Sequence, residues 1–186
     1  MHRYLNTQVL KHTIIKMASY ERVLDHIKHG IYISNWESAT DETLLKTHNI
    51  KAVLCINNIN KKSKELSTYK KLGIQHYQVD ADDAEHVDLK RWFAKTNSII
   101  EHYVARDQKI VVHCTAGISR SVTIALAYFL YLSHCRGKLR PGKPIIHALY
   151  QWLCTKRRCA LPNPGFYAQL QAYERECLDD TLDDLA

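Results

Sequence analysis

The sequence contains few of the residues that mark fibrous, disordered or disulfide-rich secreted proteins. Its 186 residues include 6 glycines, 4 prolines and 6 cysteines, which excludes a collagen-like repeat and a low-complexity chain. The cysteines form no Cys-x-x-Cys pair and have no histidine at zinc-finger spacing. A disulfide framework and a structural zinc site are therefore not expected. We expect a reducing, intracellular location instead.

Long hydrophobic runs are also absent. The longest run covers residues 122–132, whereas a membrane-spanning helix needs about 20 apolar residues. The run therefore predicts a buried helix. The protein is not expected to contact a membrane. The first 17 residues do not have the apolar stretch of a signal peptide. These features predict a protein of the cytoplasm, with the nucleus as the alternative.

The charge is unbalanced toward the basic side. Lys and Arg number 26 against 19 for Asp and Glu, which leaves a formal net charge of +7. A basic surface favours an anionic partner, which can be a phosphorylated protein, a nucleic acid or an acidic lipid. The charge alone does not choose among them.

Strand-like and helical segments alternate from residue 22 onward, and this pattern predicts an α/β fold with a central mixed, mostly parallel sheet flanked by helices. Buried-type strands are predicted at 30–34, 50–56, 73–79 and 109–113, and helices at 40–48, 89–106, 119–133, 145–157 and 164–177. Residues 136–144 are predicted to form a loop. We expect one domain over 21–178, preceded by a helical extension at 1–20 and followed by an acidic, disordered tail at 179–186.

The extension at 1–20 has two interpretations. Its apolar residues, from Leu5 to Met17, lie roughly on one face of a helix. The helix either packs on its own domain or pairs with a second copy of the chain to form a homodimer, and the sequence leaves both open.

The segment His113-Cys114-Thr115-Ala116-Gly117-Ile118-Ser119-Arg120-Ser121 carries the chemistry. It joins a buried strand to a helix, and the five residues between Cys114 and Arg120 suffice to wrap the backbone around an anion with its N–H groups inward. The helix directs its positive end at the same point, and Arg120 can hold two oxygens of a phosphate in its planar fork. A nucleophilic cysteine at the floor of an anion-binding loop indicates attack on phosphorus.

This segment resembles the signature of the dual-specificity branch of the cysteine-dependent protein tyrosine phosphatases. The resemblance covers roughly residues 22–178 and includes the segments 30–35, 50–58, 83–93 and 162–170. The sequence is most similar to small, atypical members of this branch. Some members of the poxvirus type carry an N-terminal helix and dimerise through it. The resemblance implies hydrolysis of phosphate esters through a phosphocysteine, with no metal and no cofactor.

The reaction also needs an acid to protonate the departing oxygen. Asp80, Asp82 and Asp83 lie close together, and spacing alone does not select one. The family pattern, which places its acid six residues before the apolar residue that opens the next helix, selects Asp83 because that apolar residue is Leu89. Asp82 is the alternative.

The resemblance assigns roles to four more residues. Ser121 would donate a hydrogen bond to the sulfur of Cys114 and help it leave in the second step. His113 would hydrogen-bond around the loop, and Asn163 would brace it. Arg158 would contact a second phosphate or an acidic flank of the substrate, although a solvated helix end explains this arginine equally well.

The loop residues also bear on the substrate. Thr115, Ala116, Ile118 and Ser119 are neutral, which disfavours a phosphoinositide, and the Trp-Pro-Asp loop of tyrosine-specific relatives is absent. Phosphoproteins carrying phosphotyrosine and phosphoserine/threonine are the expected substrates, and the scattered basic residues are expected to attract acidic ones. The alternative is an RNA 5′-triphosphatase or diphosphatase, and a binding module without activity ranks third.

Overall fold

The computed structural model describes residues 22–57 and 64–183. The predicted N-terminal helix at 1–20 lies outside these residues, as does the end of the chain at 184–186.

The strands are short, and from β2 onward consecutive strands are separated by helices. They are β1 (Asp25–Lys28), β2 (Ile31–Ser34), β3 (Ile50–Ile56), β4 (Gln75–Val79) and β5 (Lys109–His113). The helices are α1 (Trp36–Ala39), α2 (Glu42–Thr47), α3 (Lys64–Leu72), α4 (Phe93–Val104), α5 (Arg120–Cys135), α6 (Ile146–Lys156) and α7 (Pro164–Asp183), with a 3₁₀ turn at Lys90–Trp92 before α4.

The five strands form one sheet in the order β1-β2-β5-β3-β4. The pair β1 and β2 is antiparallel, and the other three pairs are parallel. This confirms the prediction of a mixed, mostly parallel sheet.

Helices cover both faces of the sheet, which explains why its central strands are apolar without alternation. Along β3, Leu54 packs in the larger cluster together with α4, α5, α6 and α7. Val53 packs on the opposite face, in the smaller cluster with residues of α2 and α3. Helix α5 is buried from Arg120 to Leu130, so it is the central helix of the larger layer.

The parallel strands bring their carboxyl ends to a single edge of the sheet. At this edge β5 is followed by Cys114, β3 by Asn57, and β4 by the segment 80–88. Open α/β sheets bind ligands beyond the carboxyl ends of their strands. The topology thus places the loop predicted to bind phosphate at the expected location.

Several predicted boundaries differ from the structure. The strands β3 and β5 coincide with the prediction, but β1, α1 and α3 were not predicted. β1 is a four-residue edge strand with one buried residue, Ile27, and α3 is rich in polar residues, so neither has a clear apolar period. Helix α7 continues to Asp183, beyond the predicted end at Cys177, which corrects the expectation of a disordered tail for residues 179–183.

The predicted loop at 136–144 is present between α5 and α6. Its one buried apolar side chain, Leu139, fastens it to the domain. Of the helices in the described part of the chain, not one has both the length and the apolar character needed to cross a membrane.

Replacing Leu54 with Ala tests the assignment of β3 to the core. Leu54 is fully buried on the central strand, so Leu54→Ala is expected to lower the free energy of unfolding by about 3 kcal/mol through lost burial and a cavity. Urea denaturation measures this loss. The matched control is Lys51→Ala on the same strand, which is exposed and should change stability by less than about 0.5 kcal/mol. Equal effects from the two substitutions would contradict the assignment.

Candidate active site

Cys114 lies at the bottom of the loop that joins β5 to α5, and its side chain is almost completely buried, with 1% exposed. The backbone N–H of Gly117 donates to its Sγ at 3.2 Å. The Oγ of Ser121 lies 3.4 Å from the same sulfur. The sulfur therefore faces donors from the loop and from the first turn of α5, which is an environment that suits a negative charge.

The carbonyl oxygens of the loop turn away from Cys114, and each has a hydrogen-bonding partner outside the loop's centre. The donors come from three parts of the chain. Thr115 O accepts from Trp36 N at 3.0 Å, Ile118 O from Leu161 N at 2.8 Å and Ser119 O from Thr123 N at 2.9 Å, while Ala116 O and Gly117 O accept from the Arg157 side chain. With the carbonyls outward, the N–H groups between them are free to face an anion.

Arg157 makes the largest contribution to this arrangement. Its side chain is 2% exposed, and its guanidinium donates from Nε to Gly117 O at 2.6 Å and from Nη2 to Ala116 O at 3.3 Å. Its Nη1 forms an ion pair with Asp25 of β1 at 2.5 Å. A buried cation is stable only with such partners, so Arg157 ties the loop to the edge strand of the sheet.

Gly117 is required where the loop passes this guanidinium. Its φ of 67° lies in the left-handed region, which favours glycine. A Cβ at this position would also collide with the carbonyl oxygen of Ser34 and with Nη2 of Arg157. The tight packing excludes a side chain here.

Arg120, the first residue of α5, reaches back across the mouth of the loop. Its Nη1 donates to Asn57 Oδ1 at 3.2 Å and to Ala81 O at 3.1 Å, and its Nη2 donates to Thr115 Oγ1 at 3.1 Å. The Nδ2 of Asn57 also donates to Thr115 Oγ1 at 3.0 Å. These contacts hold the guanidinium of Arg120 beside Thr115 of the loop, and a planar guanidinium can bind two oxygens of a phosphate.

The Asp83 carboxylate contacts the loop. Its Oδ1 accepts hydrogen bonds from Ser119 Oγ at 2.7 Å and from Asn163 Nδ2 at 2.8 Å, and its Oδ2 lies 3.5 Å from Arg120 Nε. Asp80 accepts a hydrogen bond from Gln78 of β4 at 2.6 Å, and Asp82 and Asp83 are both exposed. The structure thus brings Asp83 to the loop, the residue that the family pattern selected.

The segment 80–88 is held in place by α7. The side chain of Gln169 accepts from Leu89 N and from Lys90 N, both at 2.8 Å, and donates to Val87 O at 2.8 Å. A Cβ on Gly165 would collide with the carbonyl of Glu85, so this segment lies directly on the start of α7. These contacts hold Asp83 at a defined distance from Cys114.

A second cysteine lies beside the first. Cys55 of β3 is paired in the sheet register with His113, the residue before Cys114. Burial, with a smaller contribution from Cys114, raises the pKa of Cys55 to about 12. Cys55 therefore stays a neutral thiol near neutral pH and adds no charge to the site.

The remaining predicted residues have separate locations. His113 is buried, and its Nδ1 lies 3.4 Å from Cys114 O. The Asn163 side chain joins two elements, because its Oδ1 accepts from Phe166 N at 2.9 Å in α7 while its Nδ2 holds Asp83. Arg158 is exposed, and its contact with a second phosphate stays a prediction. Within 22–57 and 64–183, no three His, Cys, Asp or Glu side chains gather where they could hold a metal ion.

The sequence did not indicate three residues of the site, namely Asn57, Arg157 and Asp25. Asn57 directly follows a buried strand, and this position could have identified it, because neighbouring parallel strands end at the same edge. Arg157 and Asp25 are 132 residues apart. No local pattern relates such distant residues.

A buried thiol in a loop whose carbonyl oxygens bond outward, with an arginine and a carboxylate in contact with that loop, is the arrangement expected of a cysteine-dependent phosphatase. Residues 31–176 match the family described as dual specificity phosphatase, catalytic domain. The chain belongs to this family and is a phosphatase of the protein tyrosine/serine/threonine class.

Known relatives extend over most of the chain. It is 28% identical to human dual specificity protein phosphatase 22 over 82% of this chain and 74% of that protein. It is 29% identical to Arabidopsis thaliana dual specificity protein phosphatase 1B, covering 86% of this chain and 87% of the relative. Among solved structures, the Yvh1 phosphatase domain from Chaetomium thermophilum superposes with a TM-score of 0.70 at 26% identity, over 81% of this chain and 95% of that one.

Replacing Arg157 tests whether it braces the loop. Arg157→Met removes three donors and leaves Asp25 and two carbonyls without their partner, so the free energy of unfolding should fall by roughly 3 kcal/mol and kcat should fall as well. Denaturant unfolding and hydrolysis of an aryl phosphate measure the two effects. Arg158→Met is the matched control for stability because the neighbouring side chain is exposed. If the two variants unfold at the same denaturant concentration, Arg157 is not the brace.

Proposed function

We propose that the protein hydrolyses phosphotyrosine and phosphoserine/threonine in proteins, through a phosphocysteine formed on Cys114. The observation that carries this proposal is the position of the buried sulfur, which lies under the Gly117 N–H at 3.2 Å and beside the Ser121 hydroxyl at 3.4 Å. A nucleophile in that position faces the phosphorus of any phosphate monoester that the loop binds.

In the first step, the Cys114 thiolate attacks phosphorus and forms an S–P bond while the P–O bond to the substrate side chain breaks. The departing oxygen takes a proton from Asp83. Oδ1 of Asp83 is held by Ser119 and Asn163, and Oδ2 lies 3.5 Å from Arg120 Nε, so the carboxyl group is positioned at the loop where the leaving oxygen departs. The loop N–H groups and Arg120 balance the charge that develops on the transferred oxygens.

In the second step, a water molecule attacks the phosphocysteine. Asp83, now ionised, accepts a proton from the water, and the S–P bond breaks. Inorganic phosphate leaves, and the Cys114 thiolate is regenerated. Ser121 donates a hydrogen bond to the departing sulfur. The step returns every group to its starting protonation state.

Local charge supports a phosphoprotein over triphosphate-ended RNA. The segment 80–88, which carries Asp83, exposes further carboxylates, including Asp80 and Asp82. A polyphosphate and its ribose-phosphate chain would bring several further negative charges against them. A single phosphate on a polypeptide brings one group into the loop and avoids this repulsion.

Removing the nucleophile and the acid separates the two chemical roles. Cys114→Ser should abolish hydrolysis of an aryl phosphate, and Asp83→Asn should lower kcat about a hundredfold or more, because an unprotonated leaving oxygen departs slowly. Steady-state kinetics provide the measurement. Asp82→Asn is the matched control and should keep most of the activity. A large loss in Asp82→Asn with little loss in Asp83→Asn would move the acid to Asp82.

A direct comparison of substrates tests the proposed class. The full chain should release phosphate from phosphotyrosyl and phosphothreonyl peptides with a kcat/KM at least tenfold above that for 5′-triphosphate RNA at equal ionic strength. Phosphate release is measured for each substrate, with the Cys114→Ser protein as the blank. Faster release from the RNA would overturn the proposal in favour of the RNA 5′-triphosphatase.

A further inference from the structure

Two large apolar side chains are exposed in the described part of the chain, and both adjoin the phosphate-binding loop. Trp36, at the start of α1, is 37% exposed, and Leu161, between α6 and α7, is 49% exposed. Single exposed apolar residues scattered over a surface need no explanation. Here both lie beside the same loop, which points to a shared role.

Backbone hydrogen bonds hold both residues against the loop. Trp36 N donates to Thr115 O at 3.0 Å, and Leu161 N donates to Ile118 O at 2.8 Å. The two contacts lie near the two ends of the loop, and neither can be released without leaving a loop carbonyl without its donor. These bonds fix the backbone of Trp36 and of Leu161 relative to the loop that carries Cys114.

The segments that carry Trp36 and Leu161 are themselves well packed. Asn35, which caps α1 by accepting a hydrogen bond from Ser38 N at 2.8 Å, is buried, and so are Ala160 and Pro162 on either side of Leu161. The two exposed apolar side chains thus project from well-packed segments that are bonded to the loop. Rigid apolar anchors of this kind lose little conformational freedom when a partner covers them.

Exposed carboxylates are concentrated in the segment that carries Asp83, although the whole sequence has a net charge of +7. The segment 80–88 exposes several carboxylates, and Glu37 is exposed next to Trp36. An acidic residue beside the phosphoresidue of a substrate would meet these groups at short range, where repulsion exceeds the attraction of distant, screened lysines. This differs from the expectation that the net charge of +7 selects acidic substrates. The carboxylates in the segment are Asp80, Asp82, Asp83, Glu85 and Asp88.

We propose that Trp36 and Leu161 form the walls of the substrate-binding cleft and select phosphopeptides with apolar residues beside the phosphoresidue, while the neighbouring carboxylates disfavour acidic ones. The inference rests on the proposed protein phosphatase activity and deepens it by naming the substrate class. An extended peptide that places its phosphate in the loop has its neighbouring side chains at the two loop ends, where these residues lie.

The experiment compares phosphotyrosyl peptides that differ only at the residues immediately before and after the phosphotyrosine, which are both Leu, both Ala, both Lys or both Asp. With the full chain, kcat/KM for the Leu peptide should exceed that for the Ala peptide about tenfold, the effect of one good apolar contact. The Asp peptide should be the poorest of the four. Binding of the same peptides to Cys114→Ser, followed by fluorescence polarisation, should rank them in the same order.

Substitutions at the two walls test the residues themselves. Trp36→Ala and Leu161→Ala should each reduce the Leu-over-Ala preference severalfold, and the double variant should bring it close to 1. Trp36→Phe and Leu161→Met keep an apolar surface and should retain most of the preference, which a merely structural role would not require. Glu37→Gln combined with Glu85→Gln should improve the Asp peptide and leave the Leu-over-Ala ratio as it is.

The outcomes distinguish failure of this inference from failure of the proposed function. If the four peptides are hydrolysed at equal rates, or if the double variant keeps the full Leu preference, the apolar walls are refuted and the protein phosphatase activity stands. If the Asp peptide is the best substrate, the electrostatic part is refuted. If an aryl phosphate is hydrolysed and no phosphopeptide is, the proposed function fails and the inference fails with it.

Discussion

Consecutive N–H groups can face one anion only if the carbonyl oxygens between them face away, and each of those oxygens then needs a donor of its own. In this protein the donors are supplied from outside the loop, with the buried guanidinium of Arg157 serving two carbonyls and Asp25 balancing its charge. Without these donors the inward arrangement would leave buried acceptors unsatisfied, which costs about 1–3 kcal/mol each. The anion site therefore depends on groups that never touch the anion.

The same requirement links the parts of the site to each other. The N–H groups of Trp36 and Leu161 satisfy loop carbonyls, so the segments that carry them are fixed at the rim. Ser119 accepts from Asn163 N and donates to Asp83, so the loop, the start of α7 and the acid move as one unit. Gln169 adds a second anchor between α7 and the segment 80–88. Preorganisation of this kind is what lets a site stabilise a transition state without rearranging.

Charge acts on two length scales in this molecule. The net charge of +7 describes the whole sequence, whereas the proposed anion site consists of the loop N–H groups, the start of α5 and Arg120. The exposed carboxylates of the segment 80–88 lie within a few residues of the acid. At ionic strengths where the Debye length is about 10 Å, such neighbours outweigh charges on the far side of the domain. Total charge is therefore a poor guide to which substrates enter.

Much of the fold and the centre of the site were predictable from the sequence. Strands β3 and β5 are continuous apolar runs and were placed at their observed boundaries, and the nine residues from His113 to Ser121 contain the nucleophile, the loop and Arg120 within one local motif. Burial patterns and short motifs are local properties, so they can be recognised in the sequence alone. The short edge strand β1 and the polar helix α3 have no such pattern, and they were missed.

Only the tertiary structure decided between neighbours that look alike in the sequence. Arg157 and Arg158 are adjacent, yet the end of α6 buries the first under the loop and exposes the second. Asp83 is distinguished from Asp82 by contacts with Ser119 and Asn163, which lie 36 and 80 residues away. Chemistry depends on which side chain faces which, and side chains that distant meet only when the sheet and its helices close around them.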